Sequence, residues 1–265
     1  MNYFIEGLQG SGKSTMVGKL SETKGGRVYR EGDYSPVELA WCAYLTEDEY
    51  AAVLDKFADL RPEIEAQTFP EGGRKIVCYT RVKNGTEGFY KELESHEIYN
   101  GRIPLERFTE LVLGRYARWG VCTSGACADG IFECSLFQNT VEDMTLFRDM
   151  PDEEIIAFYR KVRDVLAGKK FRIVYLKTDD IAANLAVIRK ERSDEQGNEL
   201  WFPLMCEYFD NSPYAKARGV SGEKALIEHF EHRQELELRI CREIFPDEAV
   251  ILPSKGFTDA DVAEL

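Results

Sequence analysis

No uninterrupted apolar run in this chain approaches the ~20 residues that a membrane-spanning helix needs, so no membrane partner is expected. The first ten residues also lack a basic stretch followed by an apolar one, which argues against a secretory leader. Basic residues are in short supply, with 34 Lys and Arg against 47 Asp and Glu, a formal net charge of −13. A field of that sign repels nucleic-acid polymers, yet it leaves room for one small anion in a locally positive pocket. Histidine is scarcer still, with 3 residues. His229 and His232 can share a helix face, but no third ligand stands near them, so no zinc site is expected. The 7 cysteines are odd in number and scattered, and Cys122 and Cys127 have no second pair to complete a metal site. Reduced thiols packed as small apolar side chains of a cytoplasmic protein are the expectation.

What is present is core-forming material. Apolar residues make up 44% and aromatics 12% of the 265 residues, more than a disordered chain carries. Segments 2–6, 26–30, 130–134, 171–176 and 249–252 read as short apolar strands. Between them, helical patterns run over 13–21, 144–167 (restarting at Pro151), 179–192, 221–245 and 258–265, with a polar loop at 193–199. The acid-rich stretch 223–243 reads as a solvated outer face. Residues 36–119 are mostly helical in pattern, with a capping box at Thr46 and Glu49 and a helix over 104–119. Within them 75–82 reads as an extra strand or ribbon. Strands alternating with helices, apolar enough to be buried on both faces, imply a parallel sheet. The expectation is one α/β domain over 1–265: a five-stranded parallel sheet flanked by helices, with a mostly helical insertion at 36–119.

The chemistry is concentrated after the first strand. Gly7-Leu8-Gln9-Gly10-Ser11-Gly12-Lys13-Ser14 satisfies every fixed position of the phosphate-loop pattern GxxxxGK[ST]. Glycines let the backbone curl so that successive N–H groups converge on phosphate oxygens, and the next helix adds its positive N-terminal end. Gly7, Gly10, Ser11, Gly12, Lys13, Ser14 and Thr15 are therefore the expected nucleotide-binding residues. Lys13 would reach the outer phosphates and the Ser14 hydroxyl would ligate Mg²⁺. The implied architecture is the three-layer P-loop NTPase fold. No Asn-Lys-x-Asp base-reading motif appears, and the third strand ends in Phe132-Glu133-Cys134 rather than in an Asp-Glu pair. Elimination leans toward phosphoryl transfer to a small acceptor.

At this point the sequence resembles nucleoside and nucleotide kinases, in particular thymidylate kinases and deoxynucleoside kinases. The loop GLQGSGKST is similar to their N-terminal signature, and Val28–Asp33 (VYREGD) to the segment they place beside the acceptor. Glu133 occupies the place of their Asp/Glu-Arg-Tyr/Ser motif, with Cys134 where they have arginine. Arg189 and Arg192 stand where the family has a lid bearing arginines, and Leu252–Lys255 where relatives contact adenine through backbone. Arg115 and Arg118 resemble the acceptor-binding arginine of nucleotide kinases; facing solvent, they would be surface charges. The resemblance implies an ATP- and Mg²⁺-dependent kinase acting on a nucleoside, a nucleotide or a similar small acceptor. Glu31, Asp33 and Glu133 all lie just beyond strands expected to flank the first strand, at the carboxyl edge where such sheets bind ligands. In that scheme Glu31 or Asp33 is the base or positions the acceptor hydroxyl, and Glu133 is linked to the metal. Arg189 and Arg192 would stabilise charge during transfer. A nucleotide-sensing regulatory or adaptor protein and a plain hydrolytic ATPase are the alternatives, and a homodimer is compatible with either class.

Overall fold

The structure, a computed structural model, describes residues 1–119 and 129–265; Cys122 and Cys127 lie outside the described residues. The chain divides into two compact units, Met1–Val28 with Ser124–Leu265, and Tyr29–Thr123. The first unit opens with β1 (Asn2–Gly7), α1 (Lys13–Lys24) and β2 (Arg27–Tyr29), the last residue of which falls at the start of the second unit. The second unit holds β3 (Ala43–Leu45), α2 (Glu47–Lys56), α3 (Arg61–Ala66), β4 (Thr68–Glu71), β5 (Arg74–Val77), α4 (Glu87–Glu94) and α5 (Leu105–Arg118). The chain then resumes the first unit with β6 (Gly130–Glu133), α6 (Gln138–Glu142), α7 (Asp152–Leu166), β7 (Phe171–Lys177) and α8 (Ile181–Glu191). Helices α9 (Trp201–Asp210), α10 (Pro213–Arg218) and α11 (Gly222–Ile244), strand β8 (Ala249–Pro253) and α12 (Asp259–Glu264) complete it.

The five strands of the first unit form one parallel sheet in the order β2-β6-β1-β7-β8. Its central strands are buried on both faces, which is why they read as continuous apolar runs. Tyr3, Ile5, Ile131, Val174 and Leu176 point to one side, where Met16, Val17 and Leu20 of α1 and Val262 of α12 cover them. Phe4 and its neighbours point to the other, where Phe4 stacks on Phe132 with ring centroids 5.1 Å apart. Phe137 and Tyr159 continue that aromatic layer toward α7. The strand order corrects one expectation. β6 and β7 flank β1, whereas β2 lies beyond β6, so the turn carrying Glu31 and Asp33 follows an outer strand.

Two helical readings also change. α11 is not a solvated outer face: Glu223, Glu228, Glu231, Glu235 and Glu243 face outward, but His229, Arg233 and Glu237 are buried on the opposite side with Leu226, Phe230 and Ile240. Spacing of three and four residues separates the faces, and acids on one face do not determine what the other does. α9 and α10 follow the 193–199 loop without an expected helix, the second capped by Ser212 with Pro213 in its first turn. They pack Phe202, Phe209 and Ala215 against Ile188, Leu226 and Phe230.

The second unit has its own core, built on Leu45, Val53, Ile64, Val77, Phe89 and Leu93. That separate core makes the 36–119 insertion the bulk of a compact unit of its own. It is not purely helical. β5 pairs antiparallel with both β3 and β4, in the order β3-β5-β4, and accounts for the β-rich 75–82 segment.

Candidate active site

β1 delivers the chain to the phosphate loop at the carboxyl edge of the sheet, where open α/β sheets bind ligands. The loop curls through Gly7, Gly10 and Gly12 at φ of 135°, 71° and 94°. These are conformations that L side chains rarely adopt. Gly10 is needed for space as well, because a Cβ there would collide with the Ile188 side chain. Ser11 N donates to Leu8 O at 3.2 Å, closing the turn, and Met16 N donates to Gly12 O as the first bond of α1. Lys13 is largely buried and its Nζ lies along the loop, donating to Gly7 O and Leu8 O at 2.8 Å each. Ser14 and Thr15 are exposed in the first turn of α1. Ser254, in the segment that resembles an adenine contact, donates its hydroxyl to Ser11 O at 3.1 Å.

Glu133 arrives from the adjacent strand. Its Oε1 accepts from Ser14 Oγ at 2.5 Å, although 119 positions separate the two in sequence. The next residue, Cys134, is buried and takes φ of 58°, an uncommon conformation for a residue with a Cβ and a mark of local constraint. Its N–H donates to Ile5 O, so the chain turns sharply at the end of β6. The turn is held by Glu6, fully buried on β1. Its Oε1 accepts from Leu136 N at 2.7 Å and its Oε2 from Gln138 N at 3.4 Å. Burial pushes the Glu6 carboxyl up to about 7, and the nearby Glu237 adds to the rise against the pull of the Leu136 and Phe137 N–H groups and Lys13.

A hydroxyl and a carboxylate meeting at the first turn of α1 are hard oxygen donors of the kind Mg²⁺ takes. Among the described residues there is no cluster of three or more His, Cys, Asp or Glu able to hold a metal.

Arg189 and Arg192 lie at the end of α8 in the same unit, each already engaged. Arg189 binds Glu199 at 2.9 Å and Glu223 at 2.8 Å and lies over the Phe202 ring. Arg192 lies over Trp201. The 193–199 segment closes on itself through a bridge between Ser193 and Glu199.

The remaining candidates belong to the second unit. Glu31 and Asp33 share one turn, with Arg81 bridging them: its Nη2 donates to Glu31 O at 3.1 Å and pairs with Asp33 Oδ1 at 2.7 Å. Trp41, exposed and at φ of 60°, donates its indole N–H to Glu31 Oε1 at 3.0 Å. Arg115 is neither a surface charge nor unengaged. It is 2% exposed, its Nη1 pairs with Glu71 at 2.5 Å, and its Nη2 donates to Ser35 O. Arg118 is exposed and binds the same carboxylate at 2.9 Å. Burial pushes Glu71 up, but Arg115, Tyr34 and Arg118 outweigh it and hold the carboxyl below its usual range.

Sequence reasoning missed Arg81, Trp41 and Glu71 because their roles depend on contacts between distant segments. It also missed Glu6, Gln9, Glu142 and Arg233. One signal was available: Arg233 and Glu237, four residues apart, interrupt an apolar stripe that otherwise runs Leu226, Phe230, Ile240, Ile244.

No protein-family model matches the chain, and no curated protein matches it. Among solved structures, a gluconokinase from Sinorhizobium meliloti 1021 overlays 99% of this chain and 87% of its own, at 12% identity and a TM-score of 0.34. An overlay of that quality carries no argument about activity. The sheet order and the loop geometry stand by themselves: the first unit is a five-stranded parallel α/β sheet flanked by helices, with the glycine-rich loop after its first strand.

Proposed function

We propose that this protein is an ATP- and Mg²⁺-dependent phosphotransferase acting on a small acceptor, with nucleosides and nucleotides the first candidates. The observation that carries the reading is the meeting of Ser14 and Glu133 beside a curled loop bearing Lys13. Lys13 and the N–H groups of residues 10–14 bind the outer phosphates, Lys13 exchanging its present carbonyl partners for phosphate oxygens. Ser14 and Glu133 would hold Mg²⁺, directly or through water, and a metal bound there would supply positive charge to the phosphates. Glu31 or Asp33 accepts the proton of the acceptor hydroxyl or orients it, Arg81 keeping both carboxylates on one turn. Arg189 and Arg192 contribute by exchanging their present partners for phosphate oxygens as charge develops. Arg115 is a brace for Glu71 in this scheme, and Arg118, on the same carboxylate, is the arginine open to a phosphorylated acceptor.

The test is ATP consumption across a panel of nucleosides, nucleoside monophosphates and other small alcohols, wild type against Lys13→Ala. Acceptor-stimulated turnover that Lys13→Ala abolishes is the expected result. Nucleotide binding with no acceptor effect would move the reading to a nucleotide-sensing protein, and equal turnover with and without acceptor to a hydrolytic ATPase.

A further inference from the structure

Arg233 is fully buried on the inner face of α11. Its Nη1 donates to Glu142 Oε2 at 2.8 Å and its Nη2 to Gln9 Oε1 at 3.0 Å, while its Nε lies 3.3 Å from Glu237 Oε1. Those acceptors sit on α6, on the phosphate loop and on α11 itself. Both carboxylates are braced from behind. His229 Nε2 lies 3.1 Å from Glu142 Oε2, and the Tyr175 hydroxyl of β7 donates to Glu237 Oε2 at 2.7 Å. Burial pushes the Glu142 carboxyl up, but Arg233 and His229 outweigh it and bring it to about 2.

A buried ion pair is weak evidence for stability, because desolvation offsets the attraction and apolar side chains can often fill the same space as well. What a guanidinium adds is a rigid planar fork whose donors diverge in fixed directions, which an ammonium cannot reproduce. Here one arm of that fork goes to Gln9, at a variable position of the loop pattern. Gln9 is held a second time, since its carbonyl accepts from Asn184 Nδ2 of α8 at 2.9 Å. The next residue is Gly10, where φ reaches 71° within the curl of the loop. The grip therefore acts on the residue that sets where the phosphate-facing backbone starts.

Resting on the phosphate-binding reading of this loop, we propose that Arg233 is a positioning residue of the nucleotide site. By holding Gln9 it presets the loop N–H groups, and the Glu142–His229 and Glu237–Tyr175 pairs fix Arg233 in turn. A loop already held loses less conformational freedom when phosphate arrives, so the effect falls on nucleotide affinity rather than on the chemical step.

Three variants test this: Gln9→Ala, which leaves every buried charge in place; Arg233→Lys, which keeps the charge but loses the fork; and the double variant. The measurements are the calorimetric Kd for MgATP, the turnover constants kcat and KM, hydrogen exchange of residues 8–12 in the free protein, and the thermal unfolding midpoint. Each single substitution is expected to raise Kd and KM about tenfold with kcat nearly unchanged, the loss of one charge-assisted hydrogen bond, and to speed loop exchange by a similar factor. The double variant is expected to be no worse than either single one, because both cut the same link. The proposal is overturned if Arg233→Lys lowers the unfolding midpoint while loop exchange and Kd stay at wild-type values, or if the two single effects multiply in the double. Should Arg233→Lys fail to fold, unchanged loop exchange and Kd in Gln9→Ala overturn it alone. Should wild type bind no MgATP, the nucleotide reading fails while loop exchange still decides on Arg233: faster exchange in both singles upholds the tether, and unchanged exchange refutes it.

Discussion

Replacing Glu6 with glutamine isolates the cost of a buried carboxylate behind the phosphate loop. Glu6 is fully buried, and its carboxyl is raised from an unfolded value of 4.5 to about 7. Between those values the folded chain binds a proton that the unfolded chain has released, so stability falls as pH rises. Its contribution is fully present below about 4.5 and is lost as pH passes through about 7. The slope is about 1.4 kcal/mol per pH unit at most, and the whole interval amounts to about 3 kcal/mol. Glutamine is a neutral isostere of the protonated acid: its carbonyl still accepts from Leu136 N, while the weaker 3.4 Å contact with Gln138 N is lost. Near pH 4.5, wild type and Glu6→Gln should therefore have similar stability. By pH 8 the variant should be the more stable by up to about 3 kcal/mol. Urea unfolding of both proteins, followed by far-ultraviolet circular dichroism every half pH unit from 4.5 to 8, measures the difference. A difference that stays constant across that range refutes the reasoning, since it would mean that Glu6 does not change its proton occupancy on folding. Glu142 gives the opposite sign at acid pH: lowered to about 2, it contributes stability above about 4.5 that is lost as the pH falls toward 2.

Two further outcomes follow from the loop itself. Glu133→Gln keeps the shape beside Ser14 but weakens the metal donor, so the Mg²⁺ concentration for half-maximal ATP turnover should rise at least tenfold. A Mg²⁺ titration identical to wild type would remove Glu133 from the metal site. Gly10→Ala places a Cβ against Ile188 at φ of 71° and should weaken MgATP binding more than tenfold. Adding Ile188→Ala should restore part of that loss, the remainder of about 1 kcal/mol reflecting the left-handed backbone. No recovery in the calorimetric Kd of the double variant would show that the collision is not what limits the loop.

The loop and the central strands were legible because their determinants are local. Gly7 through Ser14 carry their chemistry in consecutive residues, and β1, β6 and β7 carry theirs in short apolar runs. The partnership of Ser14 with Glu133 could be proposed from a motif resemblance, but the contact itself arises because β6, reached after the whole second unit, pairs with β1. The neighbour of a strand is not written in the strand, and for that reason β2 was placed beside β1 when it lies beyond β6. Arg115 was left open between an acceptor-binding and a surface role, and α11 was read as a solvated face, for a related cause. A charge on a helix reads as solvated unless its partner is known, and Glu71, Glu142 and Gln9 lie 44, 91 and 224 residues from the arginines that they bind.

By itself the sequence determined that this chain builds a parallel α/β sheet with a glycine-rich loop of the phosphate-loop pattern after its first strand. Tertiary structure alone decided that Glu133 and Ser14 are in direct contact, which arginines are already neutralised, and that Arg233 grips the loop from behind. Backbone conformation and apolar burial follow from a few adjacent residues. The pairing of buried charges follows only from which distant segments the fold brings within hydrogen-bonding distance.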